Sequence, residues 1–224
     1  MKNIVIVGAG GVGREVSLII QQINMLEPTW NLIGYIDDNP ENWGNVVNGY
    51  AVLGGIDSLT MMCKDTYVII AIANYEVKKR IVTKLNNKFK FATIVHPNVW
   101  IHDYMEIGDG CIVYEGVILT ANISIGNHVI ISPKCGVGHD TIIENYVSLL
   151  WNVNISGNDR IGEGVMFGSG STIIQGKNVG MAAIIGAGAV VTKDIPAGAT
   201  VVGIPAKVIK LGGVNEESII CNNS

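Results

Sequence analysis

The sequence predicts a small α/β domain with a Rossmann-like parallel sheet, followed by a three-sided parallel β-helix. Two observations lead to this prediction. An apolar residue returns at every sixth position from Ile101 to Val191, and a glycine-rich motif at 8–13 follows the first apolar run. We place the α/β domain at 1–95, the β-helix at 96–212 and a tail at 213–224. A chain of 224 residues has room for two modest domains of this kind.

The first domain alternates between strand and helix patterns, which is typical of a parallel sheet covered by helices. Apolar runs predict strands at 2–7, 31–37, 52–53, 67–73 and 91–95, and amphipathic segments predict helices at 14–25 and 75–86. His96 and Pro97 mark the boundary with the second domain, because a proline disfavours helical structure in the residue before it.

The periodicity of the second domain fits neither an α-helix nor a single strand, whose periods are about 3.6 and two residues. Because apolar types make up 48% of the chain, sixteen successive matches have a chance probability of roughly one in 100,000. A small or medium residue fills a second slot four positions after the apolar one, and glycine often follows the apolar residue directly. We therefore predict about five coils of 18 residues, each with three short strands and glycines near the corners.

Gly8, Gly10 and Gly13 form a G-x-G-x-x-G motif between a predicted strand and a predicted helix. Glycines let a ligand approach the backbone, and a helix N-terminus offers N–H groups to an anion. Asp37 and Asp38 follow about 24 residues later, where dinucleotide-binding domains keep the acid that binds ribose. The motif is compatible with NAD, with a nucleotide or nucleotide sugar, or with a tight turn needed only for packing. A domain of 95 residues holds about half of a dinucleotide-binding sheet, which argues against hydride transfer.

Charge and hydropathy exclude several classes of function. The net charge is −4 and basic residues form no cluster, so nucleic acid is not an expected partner. No apolar stretch approaches 18 residues without a glycine or a charge, and the first apolar run is too short for a signal peptide, so we expect a cytoplasmic protein without a membrane span. The four cysteines do not form a disulfide framework, and we expect Cys111 and Cys135 to be reduced residues inside the β-helix.

Three short sequences point to a family. They are GYIDDN at 34–39, GHD at 138–140 and VVGIPAK at 201–207. Together with the glycine-rich domain and the hexapeptide repeat, they resemble the NeuD/PglD-type sugar acetyltransferases, over nearly the whole chain up to about Leu211. The resemblance implies a left-handed β-helix. It also implies acetyl-CoA as co-substrate, and a homotrimer that holds the coenzyme in the groove between neighbouring β-helices. Members acetylate an amino group of a nucleotide-linked sugar or a hydroxyl of sialic acid.

His139 is the candidate general base. It lies two residues after the inward-facing Val137, so its side chain should point out of the β-helix near a corner. A sugar ammonium must lose a proton before it can attack a thioester, and an imidazole, with a pKa of about 6.5 in water, can accept that proton. Asp140 is a candidate for orienting the ring or raising its basicity, although adjacent residues need not touch.

Gly157 follows His139 by 18 residues, which places it one coil further along the same corner, about 5 Å away. Its backbone N–H is a plausible donor to the thioester oxygen as negative charge develops there. The resemblance points to the same position. The alternative is a corner glycine that is needed for a positive φ.

The resemblance implies further binding residues. The nucleotide sugar is expected at Gly8, Gly10, Gly11, Asp37, Asp38 and Asn74, with Ser132 near the substrate amine. Acetyl-CoA is expected at Ser148, Gly157, Ser169, Gly186, Ala187, Lys193, Gly203, Pro205 and Lys207, the last three in a C-terminal coenzyme-binding segment. Trp151 is either a wall of the acetyl-CoA or sugar pocket or a contact between subunits.

No metal site is expected. Three converging histidines would be needed for a zinc site of the carbonic anhydrase type, and His96, His102 and His128 are predicted to be structural and too far apart. The resulting hypothesis is an N-acetyltransferase that acts on a UDP-, dTDP- or GDP-linked amino sugar with His139 as base. The alternatives are a sugar O-acetyltransferase with the same base, a nucleotide-sensing scaffold without catalysis, and an NAD-dependent oxidoreductase.

Overall fold

The computed structural model describes residues 1–85 and 88–212. Its N-terminal part is an α/β unit whose parallel sheet has the strand order β2-β1-β5-β6, with a separate two-stranded hairpin formed by β3 and β4. The strands are β1 (Lys2–Val7), β2 (Trp30–Ile36), β3 (Val46–Val47), β4 (Tyr50–Ala51), β5 (Tyr67–Ile70) and β6 (Lys90–Phe91), and the helices are α1 (Gly11–Leu26) and α2 (Tyr75–Leu85), with 3-10 turns at Pro40–Asn42 and Ile56–Met61.

The two helices cover opposite faces of this sheet. Val16, Ile19 and Ile20 of α1 pack in one buried cluster, and Ile81 and Val82 of α2 pack in another. Helix α1 begins three residues before the predicted start, and the segment predicted as a strand at 52–53 forms only an isolated bridge. Asn86, the predicted end of α2, and the tail at 213–224 lie outside the described residues. No helix among the described residues has the length and apolar character needed to cross a membrane.

The rest of the described chain is a left-handed parallel β-helix, as predicted, but it has about six turns where the sequence predicted about five coils. Its first face is an eight-stranded sheet, and its second and third faces are five-stranded sheets. The first face contains β7 (Ile94–Val95), β9 (Ile112–Val113), β12 (Ile130–Ile131), β15 (Ser148–Leu149), β18 (Met166–Phe167), β21 (Ile184–Ile185), β23 (Ala199–Val202) and β24 (Lys207–Leu211). The second contains β10 (Ile118–Leu119), β13 (Gly136–Val137), β16 (Asn154–Ile155), β19 (Thr172–Ile173) and β22 (Val190–Val191), and the third contains β8 (Glu106–Ile107), β11 (Ser124–Ile125), β14 (Ile142–Ile143), β17 (Arg160–Ile161) and β20 (Asn178–Val179).

Strand register confirms the predicted coil length. Ile118 pairs with Gly136 and Leu119 with Val137, a separation of 18 residues that recurs on all three faces. The last coil is two residues shorter, since Ile184 pairs with Thr200. We call the turn from the first to the second face the first corner, the turn from the second to the third face the second corner, and the remaining turn the third corner.

The interior is apolar along its whole length. The sixth-position residues and the second-slot residues form one buried cluster, in which Phe167, Cys111 and Cys135 are at most 1% exposed. Both of these cysteines are free thiols, and burial raises the pKa of each to about 11, so they remain protonated packing residues. Cys63 is an exposed free thiol, and Cys221 lies outside the described residues.

The corners use glycine in a different way from the prediction. A left-handed residue recurs at every sixth position from Gly110 to Gly188, three residues after each inward apolar one, and several of these residues are not glycine. The glycines that directly follow the apolar residues have ordinary φ values. They are needed for contact between coils: a Cβ on Gly138 would lie 2.5 Å from the carbonyl carbon of Ser156.

The first face of the β-helix is covered by the α/β unit of the same chain. The outward side chains of Ile112 and Ile130 are buried in the cluster that contains α1. The segment predicted as one strand at 91–95 is divided between the two units, since β6 ends the α/β sheet and β7 begins the first face. The β-helix therefore starts at Ile94, slightly before the predicted boundary at His96 and Pro97.

Candidate active site

The exposed dyad of His139 and Asp140 lies at the second corner, directly after β13. The Nδ1 atom of His139 is 2.7 Å from Oδ2 of Asp140, and both side chains are about half exposed. A carboxylate can only accept, so this contact places the imidazole proton on Nδ1 and leaves Nε2 with a free lone pair. The adjacent residues do touch, and their geometry presents a proton acceptor to the outside of the β-helix.

Asp140 is held by its backbone and by a second hydrogen bond. Its φ of 58° is the left-handed value of a corner residue, which turns the side chain back towards His139. The amide nitrogen of Asn122, one coil below, donates to Oδ1 of Asp140 at 3.1 Å. The hydrogen bond with His139 and then that with Asn122 lower the pKa of this carboxyl, which keeps it ionised as a partner for the ring.

Gly157 lies against the imidazole, one coil above it. A Cβ on Gly157 would be 2.6 Å from Nε2 of His139, so only glycine leaves room for the ring in this position. Gly157 is not among the residues with positive φ, so the alternative of a corner glycine required by its φ is wrong. The flanking amides of Ser156 and Asn158 donate to backbone carbonyls, whereas the Gly157 N–H has no acceptor among the described residues.

Replacing Gly157 with alanine is expected to lower kcat about 10-fold or more, because the new methyl group displaces the His139 ring while the backbone N–H is retained. Gly136→Ala is the matched control. Its Cβ would meet only Asn154 Oδ1 at 3.4 Å, on the strand that leads into the same corner. Steady-state kinetics and thermal unfolding of both variants measure the effect. Equal activity of Gly157→Ala and the wild type would contradict the assignment of Gly157 and the His139 ring to the active site.

The remaining predicted acetyl-CoA residues divide between two corners. Lys193 shares the second corner with His139 and Gly157, three coils above His139, or about 14 Å along the axis. Ser169, Gly186 and Ala187 lie along the first corner, and the C-terminal segment with Gly203, Pro205 and Lys207 closes the top of the first face. Ser132, predicted near the substrate amine, also lies at the first corner and is 7% exposed. One chain therefore does not bring these two sets together.

Ser148 does not fit its predicted role. It is buried under the α/β unit, where its hydroxyl donates to the Ala73 carbonyl at 3.0 Å and lies 3.3 Å from Nζ of Lys78. A side chain enclosed in this way cannot contact a coenzyme at the surface, so we remove Ser148 from the acetyl-CoA set. The sequence pattern gives only the outward orientation of this residue and not the α/β unit that covers it.

Lys78 was not predicted at all. This residue of α2 is fully buried against the first face, near Cys111 and His128, and burial lowers its pKa to about 7. Its neighbours Lys79 and Arg80 are exposed, and nothing in the charged run at 78–80 distinguishes the buried member. An ammonium without a carboxylate partner is costly in such a place, and the neutral amine is favoured.

A cavity of about 240 Å³ opens at the carboxyl ends of β1 and β2, where an α/β sheet commonly binds its ligand. Gly8, Asp37, Asp38 and Arg80 line it. The Asp37 carboxylate accepts from the backbone N–H groups of Ala9 and Asn39, both at 2.9 Å, so this side chain shapes the glycine loop. Asp38 is exposed and uses Oδ1 to accept from Ile56 N at 2.8 Å, which leaves Oδ2 available to a ligand.

The other predicted nucleotide residues occupy different positions. Gly10 and Gly11 are at the exposed N-terminus of α1, with open space where a side chain would be. Asn74 lies outside the cavity of Asp37 and Asp38, because its Oδ1 caps α2 by accepting from Val77 N at 3.0 Å, and it lines a separate cavity of about 210 Å³. Arg80 is a cation at the Asp38 cavity that sequence reasoning missed, since helix periodicity alone does not show which polar residue faces the crevice.

The other three histidines are dispersed. His102 stacks on Trp100 with ring centroids 4.7 Å apart, His128 is buried and stacks on Tyr146, and His96 is buried beside Tyr114. Over residues 1–85 and 88–212, no group of three histidine, cysteine, aspartate or glutamate side chains could hold a metal ion.

Comparisons with known proteins identify the family. The model of the PglD N-terminal domain matches residues 3–85. WeeI from Acinetobacter baumannii is 32% identical, with a TM-score of 0.83, over 93% of this chain and 100% of that one. The chain belongs to the NeuD/PglD-type sugar acetyltransferases.

Two further matches are to proteins whose ligands or substrates are known. PerB from Caulobacter crescentus, solved in complex with CoA and GDP-perosamine, is 25% identical with a TM-score of 0.84, over 94% of this chain and 98% of that one. An acyl-[acyl-carrier-protein]–UDP-N-acetylglucosamine O-acyltransferase from Pseudomonas putida is 30% identical over 108 residues, 48% of this chain and 42% of that protein. The chain spans 35% to 42% of the length of the curated relatives that it matches.

Proposed function

We propose that this family member is an acetyl-CoA-dependent N-acetyltransferase that acts on the amino group of a nucleotide-linked amino sugar. The observation that carries the proposal is the pairing of a free imidazole Nε2 on His139 with the unengaged N–H of Gly157 on the next coil. A proton acceptor and an amide donor at one exposed corner suit attack on a carbonyl carbon. The complex of PerB with CoA and GDP-perosamine supports this class of substrates.

The chemistry follows from these two groups. His139 Nε2 removes a proton from the sugar amine as the nitrogen attacks the thioester carbonyl, and a C–N bond forms. The Gly157 N–H donates to the carbonyl oxygen while it carries negative charge. The C–S bond then breaks, and the imidazolium returns its proton to the departing sulfur, which yields the amide and the free thiol of CoA. No covalent intermediate on the protein is required.

We also propose that the site is completed by a second copy of the chain in a homotrimer. The first corner carries Ser132, Ser169 and Ala187, and the second corner carries His139 and Gly157. The α/β unit covers the first face, which lies opposite the second corner of its own chain. A first corner can therefore meet a second corner only between neighbouring copies.

The exposed residues at these corners suit acetyl-CoA. Ser169 and Ala187 are small, so backbone groups beside them are accessible to the pantetheine arm. Lys193 and Lys207 are exposed and form no ion pair within the described residues, which leaves both ammonium groups to the phosphates. Gly186, Gly203 and Pro205 complete the proposed coenzyme surface.

At the α/β unit we propose that the Asp38 cavity takes the nucleotide, with Asp38 accepting an N–H of the base and Asp37 holding the glycine loop. Gly8 opens the cavity, and Gly10 and Gly11 present the N-terminus of α1 to the diphosphate. Arg80 is a second candidate for a phosphate contact. Carboxylates accept equally from uracil, thymine and guanine. UDP-, dTDP- and GDP-linked sugars are therefore all candidate substrates, and the experiment must include all three.

Thiol release from acetyl-CoA, measured with these three kinds of nucleotide-linked amino sugar, tests the proposal. We expect thiol release that depends on one or more of the amino sugars, and an N-acetylated product by mass spectrometry. Absence of amine-dependent thiol release from the whole panel would refute the activity, and a nicotinamide absorbance change with substrate would favour an oxidoreductase instead.

The second candidate is O-acetylation of a sugar hydroxyl by the same base. The 30% identity to an O-acyltransferase over 108 residues favours it, since that relative is named for a hydroxyl acceptor. Sialic acid and hydroxyl-bearing nucleotide sugars without an amine are the discriminating acceptors. Thiol release with these acceptors and none with the amino sugars would establish the second candidate.

Replacing Asp140 with asparagine is expected to lower kcat about 10-fold with little change in KM, because the ring loses the carboxylate that fixes its tautomer. Asparagine tolerates the left-handed backbone at this corner, so the fold is kept. Steady-state kinetics give kcat and KM separately, and thermal unfolding reports on the fold. An unchanged kcat, or a fall in kcat that is matched by a loss of thermal stability, would contradict this role of Asp140.

A further inference from the structure

The residue that follows the dyad faces the interior of the β-helix. Thr141 comes directly after His139 and Asp140 in the chain and takes no part in the proposed proton transfer. Its side chain occupies the inward second slot of its coil and is fully buried, whereas the two side chains before it are about half exposed. Its hydroxyl Oγ1 donates to the backbone carbonyl of Ser156, on the next coil, at 3.1 Å. That carbonyl belongs to the peptide unit that supplies the Gly157 N–H.

The Ser156 carbonyl depends on this hydroxyl for a partner. It lies just after strand β16, where the chain turns the second corner. No backbone N–H of residues 1–85 and 88–212 donates to it, and the Thr141 hydroxyl is its one side-chain donor there. A carbonyl that is turned into an apolar interior is costly without a donor, so the hydroxyl stabilises this orientation of the peptide.

The direction of the carbonyl also sets the direction of the Gly157 N–H. A peptide unit is planar, and in the trans form its C=O and N–H point in opposite directions. Because the Ser156 oxygen is directed inward to Thr141, the Gly157 N–H points out of the β-helix, at the corner that carries His139. Any rotation of the peptide that released the oxygen would turn the N–H by the same angle.

Gly138 packs against the same peptide from the coil below. A Cβ on Gly138 would lie 2.5 Å from the carbonyl carbon of Ser156 and 2.6 Å from the Gly157 nitrogen, so only a glycine fits there. Residues 138–141 therefore supply, in chain order, a close backbone contact, the base, its carboxylate partner and a buried donor. The first and the last of these four both act on the Ser156–Gly157 peptide.

A similar hydrogen bond at another corner shows what is special about Thr141. Thr93 Oγ1 donates to the Gly108 carbonyl at 2.7 Å, also over 15 residues, at the third corner. The N–H at the other end of that peptide, on Asp109, donates to Oδ1 of Asn127 at 2.8 Å, so the whole peptide is used by the fold. At the Thr141 corner the carbonyl is used in the same way, but the N–H has no acceptor in the described part of the chain and lies beside a proton acceptor.

We propose that Thr141 is a positioning residue for acetyl transfer. Its buried hydroxyl holds the Ser156–Gly157 peptide so that the Gly157 N–H faces the negative charge that develops on the thioester oxygen. This inference rests on the proposed function and adds a residue that touches neither substrate. A donor fixed in advance stabilises the transition state more than the bound substrate, so loss of the hydroxyl lowers kcat and leaves substrate affinity unchanged.

Three variants of the full-length protein separate the hydroxyl from the packing. Thr141→Val keeps the shape and removes the donor, and we expect kcat to fall about 5- to 10-fold while Kd for acetyl-CoA changes by less than about twofold. Thr141→Ser keeps the donor and removes a buried methyl group, so it should retain kcat within about twofold although its unfolding temperature falls. Thr93→Val is the matched control, because it removes a hydroxyl with the same kind of bond at the third corner, and it should retain kcat.

Crystal structures of the wild type and of Thr141→Val add a readout that does not depend on turnover, namely the direction of the Ser156–Gly157 peptide. We expect this peptide to be rotated in Thr141→Val. An unrotated peptide would overturn the positioning role, whatever the activity.

The kinetic outcomes distinguish this role from the proposed function. If the wild type releases thiol and Thr141→Val keeps its kcat, the positioning role is wrong and the activity stands. If no acceptor supports thiol release in the wild type while the peptide rotates in Thr141→Val, the hydroxyl does hold the peptide and the activity is wrong. Equal losses of kcat in Thr141→Val and Thr141→Ser, or in Thr93→Val, would also overturn the role, since they would follow from lost stability.

Discussion

Replacing His139 with alanine is expected to lower kcat at least about 100-fold while the protein remains folded and assembled. The side chain is half exposed and its ring contacts Asp140 and Gly157, so its removal creates no cavity in the core. The amine then has no proton acceptor beside the oxyanion donor. Thiol release at saturating substrates gives kcat, and size-exclusion chromatography with light scattering gives the assembly.

The control for this variant is His102→Ala, which removes another exposed imidazole from a lower coil of the same β-helix. It should retain wild-type kcat. The affinity for acetyl-CoA, measured by calorimetry, should be unchanged within about threefold in both variants, because neither ring holds the coenzyme in the proposal. Near-normal turnover of His139→Ala would remove the proposed base.

Replacing Lys78 with methionine is expected to stabilise the protein, by up to about 4 kcal/mol at pH 7.5. Burial lowers the Lys78 pKa from 10.5 to about 7 in the folded state, and one pKa unit corresponds to about 1.4 kcal/mol. Between these values the unfolded chain binds the proton and the folded chain does not. The wild-type protein therefore loses stability as pH falls from about 10.5 to about 7, and the loss is complete below that.

Urea unfolding from pH 7 to 9.5 measures the free energy of unfolding of both proteins. The advantage of Lys78→Met should shrink as pH rises, since a neutral lysine carries no such penalty. Lys84→Met is the control: it makes the same substitution on the exposed side of the same helix, where Lys84 pairs with Asp57 at the surface, and should change stability by less than about 1 kcal/mol. A pH-independent difference between Lys78→Met and the wild type would show that Lys78 is charged in the folded protein.

The β-helix could be predicted almost residue by residue, because its period is dictated by local geometry. An inward residue at every sixth position and an 18-residue register follow from the chain alone, as the pairing of Leu119 with Val137 confirms. The outward orientation and the approximate distance of His139 from Gly157 follow from the same period. The function of the glycines was harder to predict, because the reason for Gly157 is the ring on the coil below and not its own backbone conformation.

What the sequence could not provide is the surface that each unit covers. Ser148 faces outward from its strand, yet α2 and Ala73 enclose it. Lys78 is part of a charged run and is nevertheless buried. The burial of Ser148 and Lys78 depends on how the α/β unit docks on the β-helix, and that contact leaves no periodic signal. Asn74 is predicted to lie with Asp37 and Asp38, but its side-chain oxygen caps α2 within the α/β unit.

The coils between His139 and Lys193 all have 18 residues on the second face, so the number of turns sets the distance between residues on one corner. His139 and Lys193 stand on the same corner, so insertion or removal of one whole 18-residue turn between Gly157 and Lys193 would change their spacing by about 4.8 Å without rotating either side chain. A donor with a longer or shorter arm between its acyl and phosphate ends could thus be accommodated by changing the number of turns, while the reacting corner stays as it is.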